Sequence, residues 1–140
     1  MKFLAKLFTG LHVFLYRLTG GKFGSEMGGF KVLVLTTKGR KSGKISSTPV
    51  GYFERDGGYL IVASNGGAVN HPSWYHNIKS NPNDVIIQVK DKTMKVKPEI
   101  ILGEPRKSLW SWIVASAPNF GDYEKKTTRE IPLVLLRPGQ

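Results

Sequence analysis

Residues Thr36-Thr37-Lys38-Gly39-Arg40-Lys41-Ser42-Gly43 gather three cations, two glycines and three hydroxyls just after an apolar run. Their chemistry suits an anion. Glycine allows positive φ and close approach of the backbone, and successive N–H groups in such a turn form a nest for oxygen anions. Arg40 has the fork to grip a phosphate or carboxylate, and Lys38 and Lys41 add point charge. Taken alone, the same residues also suit a solvated hairpin tip. The turn is not a Walker P-loop. That pattern needs four residues between its glycines, then Lys and a hydroxyl residue opening a helix. Here three separate Gly39 from Gly43, and Lys44 is followed by Ile45.

Other reactive side chains are sparse. His71 and His76 lie five residues apart with no carboxylate cluster or third histidine beside them, so no metal site is expected. His12 sits in an amphipathic segment and reads as surface or packing. No Ser-His-Asp order stands out. The chain has no cysteine, which excludes disulfides and thiolate catalysis and is compatible with a reducing cytosol.

A chain of 140 residues is large enough for one hydrophobic core. Residues 1–48 carry nine lysines and arginines against Glu26 alone, so +8 of the net charge of +11 lies there. That skew points to an anionic partner. Residues 1–30 read as an N-terminal amphipathic helix followed by a connector, and 31–140 as the main domain. In the helix, Leu4, Leu7, Phe8, Leu11, Phe14, Leu15 and Leu18 recur at helical spacing, widened by Phe3, Val13 and Tyr16. The stripe suits packing on the core or lying on a membrane surface. It is too short and too charged to span one, and no small-residue cleavage site follows.

Gly20-Gly21 to Gly28-Gly29 reads as a connector, mobile until ligand binds. Strands are expected over Lys31–Thr37, Ser46–Phe53, Tyr59–Ser64, Asp84–Val89, Thr93–Ile101 and Ile131–Leu136. Asp56-Gly57-Gly58 and Lys90-Asp91-Lys92 are the hairpin turns. Helices are expected over Pro72–Ser80, where Pro suits a first turn, and Pro105–Ala117. Six short, mostly antiparallel strands with flanking helices describe a mainly β (α+β) small barrel. Pro49 lacks an N–H and should mark a strand edge or bulge.

The basic turn, Thr48-Pro49, Ala63-Ser64-Asn65-Gly66-Gly67, His71-Pro72-Ser73-Trp74-Tyr75-His76-Asn77, Tyr123 and Thr127-Thr128-Arg129-Glu130-Ile131-Pro132 occur in one order over about residues 31–137. Together they resemble the deazaflavin-dependent nitroreductase family. The resemblance implies a split β-barrel that binds coenzyme F420, an 8-hydroxy-5-deazaflavin with a phospholactyl-oligoglutamate tail. It assigns the tail to Arg40, Lys41 and Ser42, with Lys79 in addition. It assigns the cofactor wall to Ser46, Ser47, Thr48, Pro49, Val50 and Gly51, to Val62, Ala63, Ser64 and Asn65, and to Ser73, Trp74, Tyr75, His76 and Asn77. Phe120 and Tyr123 fall where the family places aromatic residues over the reacting face, with Tyr123 the candidate catalytic proton donor. Two positions depart from nitroimidazole-activating members: Phe120 lacks a hydroxyl, and Lys126 replaces an aromatic.

The implied activity is hydride transfer from reduced F420 to an electron-poor acceptor such as a quinone, enone or nitroaromatic. Two rivals stand beside it. One is a non-catalytic F420 or FMN carrier, and the other is a small β-barrel for single-stranded nucleic acid. Against the latter, Trp74, Tyr75, Trp110 and Trp112 fall on expected helices rather than along basic strands, so no nucleic-acid partner is expected. The expected protein is a cytoplasmic monomer or homodimer, with peripheral contact at the inner membrane face through residues 1–18.

Overall fold

Strand β2 (Phe30–Lys38) is apolar and buried without interruption from Val32 to Leu35 because both of its faces are covered there. Alternate side chains of a strand point to opposite faces. Leu33 and Leu35 enter the barrel interior with Ile61, Ile87, Val96, Val134 and Leu136. Val34 faces outward, under Val13 and Tyr16 of helix α1 (Lys2–Thr19). This computed structural model describes residues 2–22, 24–27 and 30–139, with the backbone alone at 2–8 and 27.

Eight strands form the sheet among these residues. Besides β2 they are β1 (Glu26–Met27), β3 (Ile45–Gly51), β4 (Phe53–Arg55), β5 (Gly58–Val62), β6 (Ile86–Val89), β7 (Lys92–Ile101) and β8 (Leu133–Pro138). Their order is β1-β2-β6-β7-β8-β5-β4, with β3 also on β2, and every pairing is antiparallel. The ends of this order meet because β3 and β4 are one ribbon, interrupted only at Tyr52. The first half pairs with β2 and the second with β5. Buried Tyr52 donates its N–H to the Lys31 carbonyl (3.0 Å), which turns the ribbon from one half of the split barrel to the other.

Parity divides the strands between two cores. In β5, Ile61 points inward while Leu60 and Val62 point outward. The outward set, with Leu133 and Leu135 of β8, packs under Trp110 and Ile113 of helix α3 (Gly103–Ser116). Two further helices complete the fold, α2 (Ser73–Ser80) and α4 (Asn119–Lys125).

The mainly β split barrel is as expected, with differences in detail. Six strands become eight: β1 is a two-residue pairing, and the expected Ser46–Phe53 strand breaks at Tyr52. The second hairpin closes over Lys90-Asp91, since Val89 pairs with Lys92. Helix α4 has no counterpart in the sequence reading. Gly21 is not a free connector: it is buried at φ +84, and a Cβ there would collide with the Lys90 backbone. Gly28 and Gly29 lie outside the described residues.

Helix α1 also packs differently from the expected stripe. Among its described side chains the buried ones are Val13 and Tyr16, whereas Leu11, Phe14 and Leu18 are 51%, 60% and 69% exposed. The side chains of Phe3, Leu4, Leu7 and Phe8 lie outside the described residues. Hydrogen bonds select this orientation. Tyr16 donates to the Val32 carbonyl (3.0 Å) and accepts from the Lys90 N–H (2.6 Å), joining α1 to β2 and the β6–β7 turn. Burial raises the Tyr16 pKa, which keeps the hydroxyl a donor.

Candidate active site

The β2–β3 hairpin carries the basic turn at its tip. Gly39 donates its N–H to the Lys44 carbonyl (2.8 Å), Gly43 donates to the Gly39 carbonyl (3.0 Å), and the Lys44 N–H donates to Ser42 Oγ (3.1 Å). Gly43 adopts φ +72, which a side-chain-bearing residue rarely accepts. Asn77 of α2 fixes the turn from behind. Its Oδ1 accepts the Arg40 N–H (3.1 Å), and its Nδ2 donates to Thr37 Oγ1 (3.1 Å). Asn81 adds a bond from Nδ2 to the Lys38 carbonyl (3.2 Å). The side chains of Arg40, Lys41 and Ser42 remain exposed.

The other end of the hairpin borders a cleft of about 550 Å³. Its walls are the outward-facing residues Phe30 and Val32 of β2 and, from β3, Pro49 and Gly51 together with Val50, whose side chain packs against the inner core. Val62 and Ser64 come from β5 and its extension, and Asn65 and Gly66 from the 3-10 turn Asn65–Gly67. Trp74 enters from α2, Asn119, Phe120 and Tyr123 from α4, and Thr9 and His12 from α1. Pro49 stands in β3 opposite Val34, and among the described residues no strand pairs with the other edge of β3. The Phe120 ring lies edge-on to Phe30 (5.9 Å between centroids) and to Tyr123 (5.7 Å). Aromatic walls, small residues at Gly51, Ser64 and Gly66, and convergent polar groups make a slot for a flat polar ring. The donor set at the turn suits a polyanion.

The position of α4 depends on Gly67. At φ +83, a Cβ there would lie 3.0 Å from the Tyr123 carbonyl oxygen and 3.0 Å from the Lys126 Cβ. The close approach therefore needs glycine, and it sets Tyr123 against the Ser64–Gly66 wall. Lys126 rests with its Nζ 5.7 Å from the Tyr123 ring centroid.

Of the sequence candidates, the fold brings Pro49, Val50, Gly51, Val62, Ser64, Asn65, Trp74, Phe120 and Tyr123 into the cleft. Others are held elsewhere. Ala63 has the opposite parity and is fully buried in the inner core, its N–H on the Pro132 carbonyl and its own carbonyl on Arg129. Tyr75 is buried in that core too. Both ends of the Asn77 amide are committed to the turn. Ser47 Oγ accepts from Arg17 Nη2 (2.8 Å) and lies 2.7 Å from Thr36 Oγ1. Ser46 and Ser73 are exposed and Thr48 is half-buried, without a place in the cleft lining.

Thr9, His12, Phe30, Val32 and Asn119 line the cleft without having been singled out for it. Phe30 and Val32 carried a readable signal, the period of two along β2. His12, whose Nε2 lies 2.8 Å from the Gly24 carbonyl, depended on how α1 docks.

Positive charge accumulates where α2 meets the turn. The His76 pKa is lowered by burial and then by Arg40 and Lys79. The His71 pKa is lowered by burial and then by Arg129, His76 and Lys79. Although five residues apart, the two rings meet at 5.7 Å because His71 precedes the helix. Arg129 Nη1 lies 2.9 Å from His71 Nδ1, and a guanidinium has no acceptor, so Nδ1 accepts and the ring proton sits on Nε2.

A split barrel with an aromatic-walled cleft at one end of a hairpin and a cationic turn at the other has the form of a small cofactor-dependent oxidoreductase. Comparison with known proteins narrows the class. The model of the F420H(2)-dependent quinone reductase family matches residues 9–138. The F420H(2)-dependent quinone reductase Rv1261c of Mycobacterium tuberculosis (strain ATCC 25618 / H37Rv) is 38% identical over 130 residues, covering 90% of this chain and 87% of that protein. Among solved structures, an F420-H2 dependent reductase (FDR-A) aligns at 38% identity and a TM-score of 0.66 over 76% of this chain and 93% of that one. A structure described as a domain-swapped dimer aligns at 34% identity and a TM-score of 0.70 over 91% of this chain and 94% of that one. The chain belongs to the F420H(2)-dependent quinone reductase family and is an oxidoreductase with coenzyme F420 as its cofactor.

Both histidines bind protons less readily in the fold than in the unfolded chain, whose ordinary value is 6.5. Below that value the unfolded state takes up more protons, so stability falls with pH. Urea midpoints should therefore be flat in their histidine component above pH 6.5 and decline below it. His71→Gln with His76→Gln should flatten the decline, and an unchanged pH profile in that double variant would contradict the assignment.

Proposed function

We propose that the protein reduces a quinone with F420H(2) held along the β2–β3 hairpin. The observation that carries this reading is the placement of a cationic turn and an aromatic cleft at the two ends of one hairpin. Lys38 and Val32 are six residues apart on β2, roughly 20 Å at about 3.3 Å per residue. That separation suits a ligand with a flat ring at one end and an anionic tail at the other. Arg40, Lys41 and Ser42 hold the phosphate and glutamates, with Lys79 adding charge from α2. Pro49, Val50, Gly51, Val62, Ser64, Asn65 and Trp74 hold the ring.

When bound, reduced F420 supplies a hydride from C5 of the deazaflavin. The chain's own contribution is orientation and exclusion of water. Trp74 and the Phe30–Phe120 pair wall the cleft, and α4 covers its mouth with Tyr123. The Tyr123 hydroxyl donates a proton to the quinone oxygen and regains it from solvent, so one hydride and one proton convert quinone to quinol. Phe120 has no hydroxyl and contributes surface only.

Two sets of substitutions separate these roles. Arg40→Ala with Lys41→Ala should weaken F420 binding by roughly 1.5–3 kcal/mol for each charge-assisted hydrogen bond lost and reduce its salt dependence. Tyr123→Phe should lower kcat and spare F420 affinity, the signature of an interaction made in the transition state. Unchanged affinity in the first variant, with circular dichroism intact, would contradict the tail assignment. Equal losses in binding and turnover in the second would make Tyr123 a wall residue.

The exposed side of α1 supports a cytoplasmic protein that rests on an anionic lipid surface. Leu11, Phe14 and Leu18 share one helical face, and Arg17 and Lys22 lie in the strongly basic N-terminal third. No helix among the described residues is long and apolar enough to cross a membrane. The homodimer reading has support from the solved relative described as a domain-swapped dimer. Phe14→Asp with Leu18→Asp should abolish co-sedimentation with phosphatidylglycerol-containing vesicles and leave the thermal midpoint nearly unchanged. Loss of a dimer in analytical ultracentrifugation, with vesicle binding intact, would give this face to a second copy instead.

A further inference from the structure

The roles above leave Arg129 unused, yet among the described residues no other side chain holds so much backbone. Its Nε donates to the Ala68 carbonyl (2.9 Å), its Nη1 to the Ala63 carbonyl (3.2 Å) and its Nη2 to the Ser64 carbonyl (2.7 Å). Nη1 also donates to His71 Nδ1 (2.9 Å). The guanidinium is half-buried on the segment between β5 and α2.

That segment has an unusual backbone. Asn65, Gly66 and Gly67 are all left-handed, at φ +49, +64 and +83. Glycine adopts this conformation freely, so the chain alone does not fix the run and its neighbours must hold it. On one side α4 closes against Gly67. On the other, the fork of Arg129 collects three carbonyls. Ser64 is right-handed (φ −76, ψ −34) and Asn65 left-handed, a succession that turns consecutive N–H groups toward one side as an anion or carbonyl nest. The same residues, Ser64, Asn65 and Gly66, border the cleft. Two of the three carbonyls gripped by Arg129, those of Ala63 and Ser64, belong to the peptides whose N–H groups are those of Ser64 and Asn65, and a charge-assisted bond at the carbonyl polarises that N–H further.

We propose that Arg129 is a positioning residue for the ring end of the cofactor site. It shapes and polarises the Ser64–Gly66 nest that receives a carbonyl or anionic edge of a heteroaromatic ring, without touching the ligand. This rests on the cofactor reading given above. Lysine cannot replace it, because a single ammonium does not reach three carbonyls arranged around a planar fork.

The test uses the full chain with two probes, oxidised F420 and the tail-less deazaflavin nucleoside. Arg129→Ala should weaken both by the same factor, at least about tenfold for the loss of charge-assisted bonds that shape the nest. The extra affinity conferred by the tail should therefore be unaltered, and the absorption band of the bound ring should shift. Ethylguanidinium should restore part of the affinity for both ligands. Arg129→Lys, which keeps the charge and most of the stem, should show the same loss and serves where the alanine variant does not fold. Wild-type affinity for both probes in a folded variant would overturn the inference. So would a loss confined to tailed F420, or full activity with lysine. Wild-type protein that binds neither probe would overturn the cofactor reading itself, and this inference with it.

Discussion

The burial of β2 on both faces is the constraint on which the rest of the structure depends. Its inward residues, Leu33 and Leu35, are fully buried in the barrel, and outward Val34 is sealed by Val13 and Tyr16 of α1. A strand buried on both sides cannot slip by one residue without exchanging its two packed faces. The register of the β2–β3 hairpin is thereby fixed, and with it the separation between the basic tip and the cleft at the far end. The same parity explains the division of labour in β5 and its extension: Val62 and Ser64 face the cleft, whereas Ala63 between them completes the core.

Two polar anchors then give this frame its working shape. Asn77 ties the backbone of the cationic turn to α2, so Arg40, Lys41 and Ser42 are offered from a fixed backbone rather than from a frayed hairpin tip. Arg129 ties down the strand end on the other side of the cleft. A buried amide or a half-buried guanidinium loses its hydration on folding, and each is retained where hydrogen bonds replace that hydration, here to backbone groups and to one side chain apiece, Thr37 and His71. Both anchors therefore act on main-chain geometry and leave the side chains that wall the cleft uncommitted to it.

Local chemistry made much of this legible. The basic turn, the Asp56-Gly57 hairpin, the Pro72 helix start and the helix containing Trp110 and Ile113 are all specified by residues adjacent in sequence. The family motifs carried the cofactor class. What escaped was set by tertiary packing. Leu11, Phe14 and Leu18 make a better apolar stripe than Val13 and Tyr16, yet the Tyr16 hydroxyl bonds turn the helix the other way. Helix α4 is seven residues with Gly121 inside it, too short for a periodic signal, and its placement depends on a close approach at Gly67. Tyr75 and Asn77 share a short helix with cleft-lining Trp74, and only the docking of that helix separates wall from core and anchor.

The central claim is that hydride leaves C5 of the bound deazaflavin for a quinone held in this cleft. It is tested most directly by single-turnover oxidation of enzyme-bound F420H(2) on mixing with a water-soluble quinone, using cofactor carrying either hydrogen or deuterium at the transferred C5 position. The account predicts rapid oxidation that saturates with quinone and is slowed by deuterium with a primary isotope effect. Bound F420H(2) that no quinone oxidises, or oxidation at the same rate with either isotope when chemistry limits the turnover, would contradict it.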